Sequence, residues 1–483
     1  MLQNLPALIT LLVYSAVLFG VGLWAAQRAK SQEDFLLGGR SLGPWVAGLA
    51  YAASSSSAWV LLGFSGFVYI AGPSALWMVP GIIAGYAAVW LWAGGTLQGA
   101  SRDEDQLTLT EFMTQHAHPG SARLIRIVAS VLIAICFSFY VAGQFQGAGT
   151  AINDLFQTGF VPGVVIGALV ILVYVFLGGF LAVSLTDTIQ GLLMAFVAVL
   201  LPALAFLEAG GVAGLSQALA EAPEGYGSVF GNRAGWAATG FVLGLSATGF
   251  GALGQPHLVA WIMATRDTSA RVKGAIVAMS WAGLVFAGMA VLGLSGRALL
   301  GGDAAPESVF FTLAEDLLPS VFAGIVAAAT LSAIMSTVDS QLLVAGGAVS
   351  HDLGLGKALG GREVLVSRLA IVGVCIAAVL LTLLAPSSIF QRILFAWVAL
   401  GAAFGPIVVA RTLGFKPRGR TVLAGMVTGF GLAVAYEVGW IGAGPGAMWK
   451  TIAPWIGAGF VMFLVAATRK TRATGELGVG EGR

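Results

Sequence analysis

Residues Gly43–Gly72, GPWVAGLAYAASSSSAWVLLGFSGFVYIAG, form an apolar stretch long enough to cross a bilayer, yet four consecutive serines, Ser54 to Ser57, occupy its middle. A crossing helix needs about 20 mostly apolar residues. Serine hydroxyls compete with the helical ladder for backbone partners. Inside lipid, irregular backbone is tolerated only where protein or a cavity covers it. Two readings follow: the serines pack as small residues between helices, or the helix unwinds there and turns free carbonyls toward a cation.

The rest of the chain sets that stretch in a membrane. Of its 483 residues, 58% are hydrophobic and 10% charged, against about 25% charged in soluble proteins. Mean hydropathy is +0.91. Sixty-eight glycines without a collagen period suit close helix packing in lipid. Cys136 and Cys375 lie in apolar runs and read as buried fillers. No cleavable signal is evident at the first apolar run. The fold class is an all-α integral membrane protein.

Thirteen spans are expected, near residues 6–27, 43–71, 75–95, 123–150, 160–180, 187–208, 236–263, 272–297, 319–350, 364–384, 390–411, 421–441 and 451–468. An odd count puts the termini on opposite sides. With the N-terminus outside, only Arg233, Arg297, Arg392 and Lys450 of the 24 basic residues fall on the outer side. That split matches the positive-inside rule, so the C-terminus is expected in the cytoplasm. The basic residues are topology signals, and no nucleic-acid partner is implied. An inner loop carrying SRDEDQLTLTEFMTQH (101–116) is expected to form a short amphipathic helix at the membrane surface. The terminal GELGVGEGR (475–483) reads as a disordered tail.

A second polar interruption is Ala327–Ser350, AAATLSAIMSTVDSQLLVAGGAVS. Ser332, Ser336 and Ser340 recur every four residues and form one stripe on a helix, with Thr337 and Asp339 beside it. An Asp at the centre of a spanning helix costs about 2.5–3.5 kcal/mol on insertion scales. The segment reads as a cation site. A third interruption, TGFVLGLSATGFGALGQPH (239–257), is glycine-rich and ends near Pro256, which breaks the ladder. The Gly43–Gly72 and 239–257 interruptions stand five spans apart, the pattern of paired broken helices at a transporter's repeat interface. In GGFLAVSLTDTIQ (178–190), Asp187 reads as an N-cap that is also suited to ion binding.

Other chemistry is absent from the pattern. His116, His118, His257 and His351 are scattered at helix ends or loops and do not read as a metal site. No GxxxxGK[ST] occurs, so ATP is not the driving force. No nucleophile–base arrangement or organic-cofactor motif points to an enzyme.

The motifs GGFLAVSLTDTIQ, GQPH (254–257) and AIMSTVDSQLLV (333–344) together resemble the sodium:solute symporter family, nearest its bacterial sodium:proline branch. The resemblance implies a leucine-transporter-type core of 5+5 inverted repeats. These are residues 43–208 and 236–412, preceded by an extra helix in 1–42 and followed by two helices and a tail in 413–483. It implies Na+ as the coupling ion, held by carbonyls of Ala53, Ser56 and Ala333 and hydroxyls of Ser336 and Thr337. Asp187, Asp339 and Ser340 match a second sodium site or an exit path.

For the solute, the resemblance implies Trp59, Gly63 and Tyr140, flanked by Ser55, Ser57, Gln144, Thr248 and Ala252. Gln144 reads equally as a solute contact or an interhelical hydrogen bond. An aspartate typical of the proline branch is Ser55 here. Two pocket aromatics are replaced by Thr248 and Ala252, which is expected to enlarge the pocket and make it more polar. The implied function is sodium-driven uptake of a small organic solute through a bacterial inner membrane, proline or a related amino acid among the candidates. The alternatives are a small carboxylate or other organic solute, proton coupling, a sensor on a transporter fold, or a passive channel. The partners implied are sodium, the solute and the lipid bilayer, with oligomeric state left open.

Overall fold

A computed structural model describes residues 5–27, 31–177, 179–385 and 387–477. Among these residues the chain is all-helical apart from a single bridge between Leu42 and Thr265. The expected tail lies largely outside the described residues, and its start continues the last helix to Leu477.

The first half runs through α1 (Leu5–Ala26), α2 (Pro44–Ala58), a π-helical turn (Trp59–Phe64), α3 (Ser65–Ala71), α4 (Met78–Ala87), α5 (Gly94–Asp103), α6 (Leu109–Thr114), α7 (Pro119–Phe156), α8 (Phe160–Leu177) and α9 (Phe180–Glu208). After α10 (Gly211–Glu221), the second half runs through α11 (Gly235–Ala247), a 3-10 segment (Thr248–Gly254), α12 (Pro256–Met263), α13 (Thr268–Leu300), α14 (Val309–Leu317), α15 (Ser320–Gly347), α16 (Glu363–Leu384) and α17 (Ile389–Thr412). Two more, α18 (Gly419–Glu437) and α19 (Met448–Leu477), complete it.

Ten stretches of the described residues are long and apolar enough to cross a membrane. One of them, Pro44–Asp103, has 60 residues, and a straight helix of that size would run about 90 Å, three bilayer cores. It folds back at Gly72, where φ is 60° and Pro73 follows. The packing shows the reversal: Gly274 of α13 abuts both Pro44 and Trp90, whereas Gly293 of the same helix abuts Ser65 and Val68.

Polarity is inside out relative to a soluble protein. Leu12, Leu169, Leu192, Leu380 and Phe463 stand exposed, whereas Ser54 to Ser57, Asp187, Ser336, Thr337 and Asp339 are buried. Glycine allows the closest contact between halves. A Cβ on Gly81 would lie 2.1 Å from the Ser246 carbonyl oxygen, and one on Gly249 would lie 1.9 Å from that of Gly81. The backbones of α4 and the 3-10 segment therefore touch, with no side chain between them.

Two sequence expectations are corrected. Helix α6 is not a surface helix: Leu109, Thr110, Phe112, Met113 and Thr114 are all buried. Its apolar residues are drawn under the bundle, and Thr108 caps it by accepting the Glu111 N–H at 3.1 Å. Asp187 is not an N-cap. It lies well inside α9, which begins at Phe180 after an extended Gly179 (φ −120°, ψ −172°).

Candidate functional site

Helix α2 breaks at Ser57, which adopts φ 50° and ψ −173°, a region a non-glycine residue enters at a cost. An unbroken helix would pair the N–H of Ala58 with the carbonyl of Ser54. Both halves of that lost bond are taken up by other helices. The Ala58 N–H donates to Oε1 of Gln144 on α7 at 3.1 Å, and the Ser54 carbonyl accepts the Thr337 hydroxyl of α15 at 2.8 Å. Of the two readings of the serine run, unwinding is the one observed.

Around the break the expected sodium residues converge. Ser54 and Ser340 share a hydroxyl hydrogen bond of 2.6 Å. The Ala333 carbonyl accepts both the Ser336 hydroxyl at 3.3 Å and the Thr337 hydroxyl at 3.2 Å. Ala53 and Ser56 sit on the facing turn of α2, buried like the rest, and Ser56 Oγ has no hydrogen-bond partner among the described residues. A threonine hydroxyl carries one donor and two lone pairs, so Thr337 can keep its bond to Ser54 and still offer oxygen to a cation. Sodium is a hard ion suited to such carbonyl and hydroxyl oxygens. Ser332 leaves the stripe, because a four-residue repeat drifts around a helix of 3.6 residues per turn. It pairs with Tyr14 of α1.

Asp187 and Asp339 are fully buried and within electrostatic reach of each other. Neither oxygen of Asp187, nor Oδ2 of Asp339, is hydrogen-bonded among the described residues; Asp339 Oδ1 accepts the Ser340 N–H at 2.7 Å. Facing carboxylates in a dry interior need a cation or a proton between them.

The expected solute residues divide. Trp59 and Thr248 line a deep cavity of about 10 Å³ with Met78, Phe390, Ile393, Leu394 and Trp397. Gly63 lines a larger cavity of about 570 Å³ beside it, with Phe67, Glu307, Phe390, Glu437 and Lys450. Ser55 turns away to bond the Tyr86 hydroxyl, Ser57 Oγ accepts the Trp59 N–H at 3.3 Å, and Ala252 is buried in the 3-10 segment. For Gln144 the interhelical hydrogen bond is what forms. Trp397 of α17 stands beside Thr248, its indole donating to the Thr248 carbonyl at 2.8 Å.

Three further residues stand beside the expected ones. Phe390 belongs to both cavities and separates them, stacked on Phe67 at 5.4 Å and angled against Trp59 at 6.2 Å. Trp397 is the second. His257 is the third: buried, with both ring nitrogens unpartnered among the described residues, and edge-on to Phe137 and Tyr140. Only its place beside the helix break at Pro256 hinted at it.

The two ends of the bundle differ. At the end holding α6, Thr108 donates to Asp352 at 2.8 Å and Glu111 pairs with His351 at 2.8 Å. Burial raises the affinity of Glu111 for a proton, but the bonds from His351 and the Leu107 N–H outweigh it and hold the carboxyl below its ordinary range. A cleft of about 930 Å³ lies there, lined by Glu104, Arg123, Arg126 and Asp352 among others. At the other end Glu307 accepts the Phe390 N–H at 3.3 Å, and burial raises its carboxyl despite that bond.

A buried cluster of carbonyl and hydroxyl oxygens at a helix break, inside a bundle of apolar spans, is the arrangement of an ion-coupled membrane carrier. The comparisons give the family. The profile of the sodium:solute symporter family matches residues 35–429, and the chain belongs to that family. It is 31% identical over 454 residues to the sodium/proline symporter of Escherichia coli K12, covering 90% of this chain and 89% of that one. The osmoregulated proline transporter OpuE of Bacillus subtilis is 30% identical over 436 residues, 88% of each chain. Among solved structures, the substrate-bound outward-open state of a Na+-coupled sialic acid symporter superposes with a TM-score of 0.78, at 16% identity and over 96% of this chain and 98% of that one. The nucleobase-cation-symport-1 transporter MHP1 follows at 0.58, with 14% identity and coverage of 90% and 95%. At such identities these two likenesses concern the fold alone. The protein is a multi-pass membrane transporter that couples sodium to solute uptake.

Proposed function

We propose that the solute is a compact organic molecule, proline or a related amino acid, and that the chain carries it into the cytoplasm through a bacterial inner membrane. The proline-transporting relatives support that class. The chain crosses thirteen times with its N-terminus outside. Residues 43–208 and 236–412 form the inverted repeats, between flanking parts 1–42 and 413–483. The chain performs no catalysis and needs no organic cofactor.

Sodium, as cargo, binds between α2 and α15 on the carbonyls of Ala53, Ser56 and Ala333 and the hydroxyls of Ser336 and Thr337. The observation that carries this reading is the split Ala58–Ser54 hydrogen bond, which leaves α2 open beside the α15 hydroxyls. Bound sodium ties the two helices together. The solute then sits by Trp59 and Thr248, Phe390 shuts the outer cavity, and the bundle rocks. Ser55, Ser57, Gly63, Tyr140, Gln144 and Ala252 shape the pocket, Gln144 by fixing the break. Release runs past Asp187, Asp339 and Ser340, which hold a second sodium on the way.

One charge moving through 100 mV contributes about 2.3 kcal/mol, and a tenfold sodium gradient about 1.4 kcal/mol more. One coupled ion therefore supports roughly several-hundredfold accumulation. The test is uptake into proteoliposomes by the Ser336→Ala, Thr337→Ala double variant. Loss of sodium dependence is expected, and unchanged dependence rejects the site.

A second reading, proton coupling, draws on the facing Asp187 and Asp339. It requires uptake that continues without sodium and follows a pH gradient.

A further inference from the structure

The deep cavity takes its aromatic wall from α17, and Trp397 has two attachments there. Its indole Nε1–H donates to the Thr248 carbonyl at 2.8 Å, and its own carbonyl accepts the Gln255 side-chain amide at 2.9 Å. Those partners stand at the first residue of the 3-10 segment Thr248–Gly254 and immediately after its last. One residue of α17 thus spans the unwound turn. The indole lies against Gly251, where a Cβ would come within 2.1 Å of Nε1. Trp397 is buried at 5% exposure, and with Trp59 and Phe390 it leaves the cavity only about 10 Å³. Among the described residues no charged side chain lines that cavity.

We infer that Trp397 sets the upper size of solute this transporter accepts, and that it selects compact molecules with an apolar face. The inference rests on the reading of the Trp59–Thr248 cavity as the solute site. Thr248 is small, and the indole of Trp397 stands beside it as the bulkier wall of the cavity. Held at its N–H and lying against Gly251, the ring is fixed to the 3-10 segment. The room for a solute therefore has to come from the other walls, Trp59 and Phe390 among them, while Trp397 stays as the limit. Pockets of this apolar kind discriminate by size, about 10–200-fold for one methylene.

The test reads the wall without knowing the solute. Thr248→Cys is introduced in a Cys136→Ala, Cys375→Ala background, and the full-length protein in proteoliposomes is reacted with a methyl and with a benzyl methanethiosulfonate. The ratio of the two rates reports the width beside residue 248 and cancels the rate at which the protein opens. Trp397→Ala should raise the relative rate of the benzyl reagent about tenfold or more, while Trp397→Phe keeps the parent ratio. Should the alanine variant not fold, Trp397→Leu carries the comparison with a smaller rise. An unchanged ratio in a folded alanine or leucine variant overturns the proposal. Sodium-dependent thermal stabilisation of the parent, measured alongside, tests the sodium reading separately; its absence would reject that reading while the ratio still decides the wall.

Discussion

Gln144 and Thr337, on two different helices, each satisfy one half of the same broken backbone hydrogen bond, the N–H of Ala58 and the carbonyl of Ser54. The break is therefore built into the scaffold, and its two halves make separable demands on the protein.

Thr337→Val removes the hydroxyl and keeps the shape. It deprives the Ser54 carbonyl of its partner and the proposed sodium site of an oxygen. Loss of a buried hydrogen bond of this kind costs about 1–3 kcal/mol, so the sodium concentration for half-maximal thermal stabilisation should rise by roughly one order of magnitude. A titration that superposes on the parent would remove Thr337 from the site.

Gln144→Leu leaves the Ala58 N–H buried and unpaired. The expected outcome is a destabilisation of about 1–3 kcal/mol, read as a lower melting temperature in detergent both with and without sodium. A fall seen only with sodium present would instead make Gln144 part of the ion or solute site.

Asp187→Asn removes one of two facing buried carboxylates. In sodium-free buffer the variant should melt at a higher temperature than the parent, because an uncompensated buried charge is lost. Adding sodium should stabilise it less than the parent. If both proteins respond to sodium alike, Asp187 holds no ion.

Glu111 supplies a pH test. Its folded-state pKa lies below the ordinary value of 4.5, so its ionised form stabilises the fold above that value and the contribution is lost as pH falls through the lower one. Glu111→Gln should therefore melt below the parent at about pH 7, with the difference shrinking only below about pH 4.5. A difference constant from neutral to acid pH would mean the His351 contact does not depend on the charge of Glu111.

Much of the architecture could be read from residue chemistry. Polar residues within apolar runs are conspicuous, so the Ser54–Ser57 break, the α15 hydroxyls and the glycine-rich turn before Pro256 all stand out. The first two meet through the Thr337–Ser54 and Ser54–Ser340 bonds, and the third reaches the cavity beside Trp59 through Thr248. Asp187 was found for its charge but misplaced, because Phe180 to Thr186 could equally extend a connection or begin a helix. Phe390 and Trp397 were invisible. An aromatic within an apolar run looks the same whether it faces lipid, a neighbour or a cavity, and only packing tells these apart. The same holds at Thr248, whose neighbour Trp397 comes from a helix distant in the chain.

The direct backbone contact of Gly81 with Gly249 has a mechanical consequence. Sliding between packed helices proceeds by side chains exchanging rotamers, and where Gly81 and Gly85 meet Ser246 and Gly249 backbone lies directly against backbone. Helix α4 and the 3-10 segment must travel as one solid piece. On the proposed mechanism the slip plane falls where α2 meets α15, since small hydroxyls can trade one another for water or an ion with almost no change in volume. On that mechanism, the face that would hold sodium is also the face along which the molecule shears.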